Sequence, residues 1–335
     1  MIDSQRELHR ETIMGLVEML PIDGEQQAVE LDARRLGPDG IALGFPPRNI
    51  IEYLSWHMGQ SWEDLDGDTP MKTRGSFSAR ESVVACIADE VRTRRFVDAM
   101  VGAVAAKERD TRTGQSIEVC DAGTGAFALL AIIAALESPR VHVTAVDING
   151  SSVETARTLV ENMGLSRQID IIEADATTFE PEDKPDILVS ETMNRALLDE
   201  PIVQVLKNLV PQSDREAIVL PGEVRLHSAL YDGPHGLDDV PDPASWPEVY
   251  AYRAGDDTDM ISFETRRLDR QMNSTGLGVY ARVKVGETWL EVRQSALTQI
   301  VGIQSMRNFG EVETVRYIPG DYAFLEPWRV IPAVV

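Results

Sequence analysis

Cysteine, histidine and aromatic side chains are scarce in this chain. Of its 335 residues, 2 are cysteine, 5 are histidine and 6% are aromatic. Cys86 and Cys120 both sit in apolar runs. Two thiols cannot form a disulfide framework or a cysteine-rich zinc site, so a reducing compartment is expected. His57, beside Met58, has no metal-ligand spacing, and no metal site is expected. Positive charge is short too: 32 Lys and Arg stand against 55 Asp and Glu, a net charge of −23. The densest basic clusters, Arg92, Arg94, Arg95 and Arg266, Arg267, Arg270, are too brief for a stripe that tracks phosphates. Neither nucleic acid nor an anionic membrane surface is expected as a partner. The longest apolar stretch, Ala126 to Leu136, falls short of a spanning helix. The opening Met1-Ile2-Asp3-Ser4-Gln5-Arg6-Glu7 lacks the basic and apolar regions of a secretory signal, so a cytoplasmic location is the expectation. The acidic surplus suits a cationic substrate, but it reports mainly on solubility.

What is present reads as an ordinary globular protein, 43% hydrophobic and 26% charged. At about 150 residues per domain its length suggests two domains. No internal repeat or low-complexity tract interrupts it. Residues 1–68 are mixed and read as a helical cap. One amphipathic helix carries Leu8, Ile13, Leu16, Val17 and Leu20, Pro46-Pro47 ends a short second segment, and Ile50 to Trp62 forms another helix. Glu63-Asp64-Leu65-Asp66-Gly67-Asp68 marks a boundary. Residues 69–213 alternate strands and helices. Ser82 to Ala106 reads as one long helix. Strands follow at Ile117–Asp121, Val141–Val146, Ile169–Ile172 and Ile187–Val189, with helices at Phe127–Leu136 and Ser151–Met163 between them. That alternation predicts an α/β fold with a parallel, doubly wound, Rossmann-like sheet. Residues 214–335 lose the helices. Strands at Glu223–Tyr231, Val279–Val285 and Trp289–Val292, with a Pro-, Gly- and Asp-rich insert from Asp232 to Trp246, predict a separate antiparallel β domain.

Asp121-Ala122-Gly123-Thr124-Gly125 closes the first strand and opens a helix. Glycines let a backbone approach a ligand, and a helix N-terminus offers N–H groups to it. Asp147 ends the next strand, where doubly wound folds place the acid that accepts ribose hydroxyls. Gly123-Thr124-Gly125-Ala126-Phe127-Ala128 also fits a dinucleotide fingerprint, which keeps a dehydrogenase in play. Asp121 argues against it: an acid just before the loop repels a pyrophosphate and welcomes a cation. Glu118-x-x-Asp121-x-Gly123-x-Gly125 resembles motif I of class I S-adenosylmethionine (SAM) methyltransferases, which bind a sulfonium cation. That resemblance implies SAM as cofactor, with S-adenosylhomocysteine (SAH) as product. It also implies that Asp175 and Ala176, after the third strand, meet the adenine, and that residues 69–213 are the SAM-binding domain.

The fourth strand runs into Ser190-Glu191-Thr192-Met193-Asn194-Arg195-Ala196-Leu197-Leu198-Asp199-Glu200. This resembles the double-glutamate loop of protein arginine methyltransferases. A second match, Asp89 to Met100, is similar to the helix preceding that family's SAM domain. The resemblance covers roughly residues 89–213 and implies that Arg92 binds the SAM carboxylate, that Glu191 and Glu200 grip a guanidinium, and that Met193 packs beside the sulfonium. It further implies a β-barrel-like C-terminal domain and a homodimer, with the Asp232 to Trp246 insert as dimerisation arm. The chemistry of the pair stands on its own. A guanidinium is planar with five donors and no acceptor, so two carboxylates hold it in a fixed fork. Glu191 is the expected polarising carboxylate, localising charge on one nitrogen so that another keeps its lone pair.

Departures from that family bear on the substrate. Where its members carry a Tyr-Phe-x-x-Tyr helix, this chain has Thr73, Arg74 and Phe77, so only the last aromatic survives. No Thr-His-Trp occurs anywhere, and the aspartate corresponding to Asp89 lacks the histidine that usually pairs with it. An intact double glutamate with the peptide pocket lost predicts a small guanidino substrate, free L-arginine first. The bacterial L-arginine Nω-methyltransferases of streptozotocin-type biosynthesis are the branch it is most similar to. A protein arginine methyltransferase is the runner-up, and an O- or C-methyltransferase of a secondary metabolite the second. Tyr53, Trp56, His57 and Trp62 are expected to be buried among the N-terminal helices rather than to form a substrate lid.

Overall fold

In a computed structural model the described residues are 2–22, 46–58, 84, 86–110, 114–193, 195–197, 201–231, 243–256, 261–266, 276–304, 312–318 and 324–328. Five short strands, β1 (Ile117–Ala122), β2 (Val141–Asp147), β3 (Ile169–Glu173), β4 (Ile187–Ser190) and β5 (Ile218–Leu220), make one parallel sheet in the order β3-β2-β1-β4-β5. Every position of β4 is buried, as expected of a strand covered on both faces. The sheet is the one foreseen, but β5 pairs with β4 at Ile187↔Ile218 and so carries it past residue 213.

The helices that accompany it are α1 (Ile2–Glu18), α2 (Pro46–Met58), α3 (Glu90–Asp110), α4 (Leu129–Glu137), α5 (Gly150–Asn162) and α6 (Ile202–Leu209). Three boundaries correct the sequence reading. Pro46-Pro47 opens α2 instead of ending a segment, as suits residues whose missing N–H is no loss in a first turn. The helix expected from Ser82 is interrupted at Asp89, and α3 begins after it because the Asp89 carboxylate accepts the Arg92 N–H at 3.3 Å. Helix α4 starts at Leu129, since Ala128 adopts a left-handed backbone, φ 42°.

The N-terminal helices sit on the outside of this layer. Arg6 Nη2 donates to the carbonyls of Ala135 (2.9 Å) and Leu136 (3.1 Å), which satisfies the C-terminal end of α4, and Arg10 forks onto Glu137. Asn162 at the end of α5 donates to the His57 carbonyl at 2.7 Å. Tyr53 and His57 pack with His9 between α1 and α2, whereas Trp56 is 76% exposed, contrary to the expected burial. Trp62 lies outside the described residues.

The remaining strands are antiparallel: β6 (Glu223–Tyr231), β7 (Glu248–Arg253), β8 (Ile261–Arg266), β9 (Gly276–Val285), β10 (Thr288–Leu290), β11 (Val301–Gln304), β12 (Val312–Ile318) and β13 (Phe324–Trp328). One sheet runs β10-β9-β6-β7 with β11 also on β9, and a second runs β13-β12-β8. Residues 232–242 of the expected dimerisation arm lie outside the described residues. Among the described residues no helix is long and apolar enough to cross a membrane.

Candidate active site

The strand order places the site. From β1 the chain moves outward to β2 and β3, then returns to lay β4 on the other side of β1. The gap between the carboxyl ends of β1 and β4 is therefore the switch point at which such sheets take their ligands. Register makes the ends level: Ala122 stands opposite Ser190, and Asp147 opposite Glu173. Ser190 Oγ ties the two central ends together by donating to the Ala122 carbonyl at 2.8 Å.

A cavity opens at that edge. Its wall includes Arg92, Asp121, Gly123, Gly125, Asp147, Asp175, Ala176 and Glu191, so eight of the ten predicted site residues meet in one place. Met193 is buried beside Glu191, its N–H donating to the Glu191 carbonyl at 2.8 Å. Glu200 lies outside the described residues. No residue of α1 or α2 is among those lining the cavity.

The glycine turn is folded back on β2, with the N–H groups of Gly123 and Thr124 donating to the Val146 carbonyl at 2.7 and 3.1 Å. Gly123 has φ 86°, and a Cβ there would drive into the Thr192 methyl. Glycine is needed on both counts. Asp121 is only 2% exposed, and Thr124 Oγ donates to its carboxylate at 2.7 Å. Burial pushes its pKa up to about 7. The Thr124 bond works against that rise, and the nearby Glu191 carboxylate adds to it. Asp147 accepts N–H groups from Gly125 and Asn149, each at 2.8 Å. Burial raises its pKa, and those bonds partly offset the rise. Asp175 Oδ1 accepts from the N–H and the hydroxyl of Thr177, at 2.9 and 2.6 Å.

Glu191 and Arg92, assigned in sequence to different ligands, touch each other. Arg92 Nε donates to Glu191 Oε1 at 2.9 Å, and its Nη2 to the Glu191 carbonyl at 3.1 Å. Behind Arg92, Asp89 is buried and far from lacking a partner. Its Oδ2 accepts from Ser295 Oγ at 2.6 Å and from the Ala296 N–H at 2.7 Å. Burial raises the Asp89 pKa, with Arg92 the largest opposing influence. Sequence reasoning missed Ser295 because it looked for a histidine there. It also missed Thr192, Thr93, Phe96 and Cys86, which line the cavity between the turn and α3.

A buried acid facing a cavity at the switch point, a tight glycine turn beside it and an acid at the end of the next strand make a donor set suited to a sulfonium nucleoside, and the residues present fit that group. Residues 114–223 match the family model of a methyltransferase domain. The chain carries a SAM-dependent class I methyltransferase domain. An uncharacterized protein of Methanocaldococcus jannaschii is 33% identical to the chain over 92 residues, 28% of this chain and 34% of that protein. Carboxy-S-adenosyl-L-methionine synthase of Chromohalobacter salexigens is 27% identical over 194 residues, 56% of this chain and 63% of that protein. The chain thus spans less than two thirds of either relative. Among solved structures, PRMT6 is similar with TM-score 0.55 at 11% identity, over 75% of this chain and 99% of that one. Protein arginine methyltransferase 10 of Arabidopsis thaliana is similar with TM-score 0.53 at 14% identity, over 75% and 97%. The Trypanosoma brucei PRMT1 enzyme–prozyme complex with AdoHcy gives TM-score 0.50 at 16% identity, over 71% and 87%. These likenesses are of fold, and they extend beyond the methyltransferase domain.

Proposed function

We propose that this protein is an N-methyltransferase of guanidino groups, acting on free L-arginine or a similarly small guanidino compound within a biosynthetic pathway. The observation that carries the reading is Glu191, which follows the end of β4 and lines the same cavity as Asp121 and the glycine turn. An acceptor held there stands against the cofactor site, and holding two reactants in line lowers a barrier by roughly 7–11 kcal/mol. SAM, when bound, supplies an electrophilic methyl on a sulfonium. The chain's own residues do the rest. Asp121 offers an anion to the cationic end, Asp147 and the Asp175–Ala176 turn receive the ribose and adenine, and Arg92 receives the carboxylate. Glu191, paired through the loop motif with Glu200, fixes the guanidinium plane and keeps charge off the nitrogen that attacks. The new N–CH₃ bond forms as the S–CH₃ bond breaks, the products are SAH and the methylated guanidinium, and one proton is released.

A small acceptor is favoured by the Asp89 contacts, because its carboxylate is taken up by Ser295 and Ala296 and not by a peptide-pocket histidine. The fold likeness to protein arginine methyltransferases supports the second reading, a basic protein tail as substrate. Mass spectrometry of SAM reactions against a panel of L-arginine, small guanidines and arginine-rich peptides separates the two. Methyl transfer to the small acceptors is expected, and transfer confined to peptides sinks the first reading. Glu191→Gln should lower kcat by about 10²–10³. In an O- or C-methyltransferase the same change would act only through Arg92, on cofactor affinity, and leave kcat nearly unchanged.

A further inference from the structure

The stretch after β3 that carries Asp175 and Ala176 has no strand or helix to hold it, only its own turn, in which the Thr178 N–H donates to the Asp175 carbonyl at 3.0 Å, so its place in the fold comes from the groups around it. Its start is fixed by the Ala174 N–H, which donates to the Asp147 carbonyl at 3.0 Å. The rest hangs on α6. Val205 of that helix lines the cavity, and one turn further on Asn208 turns away from it toward the loop. Asn208 Nδ2 donates to two loop carbonyls, Ala176 at 3.0 Å and Phe179 at 2.8 Å. Gln212 stands behind. Its Nε2 donates to Asn208 Oδ1 at 3.0 Å, to the Asn208 carbonyl at 2.9 Å and to the Phe179 carbonyl at 3.2 Å. Both hydrogens of the Asn208 amide and its oxygen are thus committed. No other side chain of that size presents two donors and one acceptor in this shape.

We propose that Asn208, backed by Gln212, is a positioning residue for recognition of the cofactor's base, setting where the Asp175 carboxylate and the Ala176 peptide stand in the cavity. Asn208 itself does not line that cavity, and it acts through the loop. The inference rests on the reading above that Asp175 and Ala176 meet the adenine. It adds that selectivity for adenine is held in α6, a helix reached only after the double-glutamate loop.

The test is calorimetric binding of SAH against its inosine counterpart, S-inosyl-homocysteine, in which an oxo group replaces the adenine amine. The parent protein should prefer SAH. Asn208→Ala and Asn208→Asp should lower that preference about five- to tenfold, the scale of one or two misplaced hydrogen bonds. The Asn208→Asp carboxylate would aim an acceptor at two carbonyl oxygens, so this variant should be no better than the alanine one. Gln212→Ala should act in the same direction and more weakly, and it decides the matter by the same ratio if either Asn208 variant folds poorly. A purely structural role would weaken both ligands equally and leave the ratio where it was. Asp175→Ala is the companion variant. If the parent shows no preference, or Asp175→Ala leaves it intact along with the Asn208 variants, the adenine reading fails. If the parent and Asp175→Ala behave as expected while Asn208 variants keep the full preference, the positioning role is overturned and the adenine reading survives.

Discussion

Burying a carboxylate sets stability against the binding of a cation, and Asp121, proposed to face the cofactor's sulfonium, carries both demands. Burial raises its pKa to about 7 in this structure, far above the ordinary carboxylate value. An acid with a raised folded-state pKa takes up protons on folding. Its contribution to stability is therefore greatest at low pH and is lost as pH rises from about 4, the unfolded value, through about 7. The sulfonium needs the opposite, the charged form, which is populated above about 7. Cofactor affinity measured by calorimetry should therefore fall as pH drops from 8 to 6. Asp121→Asn should flatten that dependence and weaken binding, while raising the thermal midpoint at pH 8 by a few °C. A variant that is less stable at pH 8 contradicts the account. The role proposed for this residue was legible in sequence, since an acid two residues before Gly123 is an unusual neighbour for a pyrophosphate. Its depth of burial was not, because that depends on α4, whose Ala131 backbone reaches it, and on Thr124 closing over it.

Helix α3 reads differently at the level of elements. Its sequence, with Arg92 in the first turn, gave grounds to expect a cofactor contact, but not what holds the helix start. That task falls to Asp89, gripped by Ser295 and Ala296 from the turn after β10. Removing a hydroxyl that satisfies a buried carboxylate costs about 1–3 kcal/mol. Ser295→Ala should lower the urea midpoint accordingly, and a midpoint unchanged within error would show that the Ala296 N–H alone suffices. No local pattern could have joined residues 206 positions apart. The parallel strands were legible because continuous apolar runs such as Ile187–Val189 admit few other readings. Strands such as Glu248–Arg253 and Val312–Ile318 were not, since their mixed charged and apolar residues show neither helical nor strict two-residue periodicity. The glycine turn, Asp147 and Glu191, which line one cavity, stood out in sequence because each sits at a strand end.

For the whole molecule the net charge of −23 becomes a diagnostic. A basic peptide acceptor would be drawn in by that field, and its KM should climb steeply with salt as the charges are screened. L-arginine, small and with little net charge, should show a KM that changes by less than about twofold between low and physiological salt. A steep salt dependence for the true acceptor would return the peptide reading to first place. The level edge of the parallel sheet has a consequence for engineering. Each acid of the site lies at the carboxyl end of its own strand or just past it, and Ser190 pins β4 to β1 before the loop at Glu191 begins. The stretch from residue 194 to 200, past the two residues that stand on the cofactor side, is thus the part of the sequence to vary. Exchanging it, with Ser190, Glu191, Thr192, Met193 and Asn208 retained, offers a route to new methyl acceptors on an unaltered cofactor chassis.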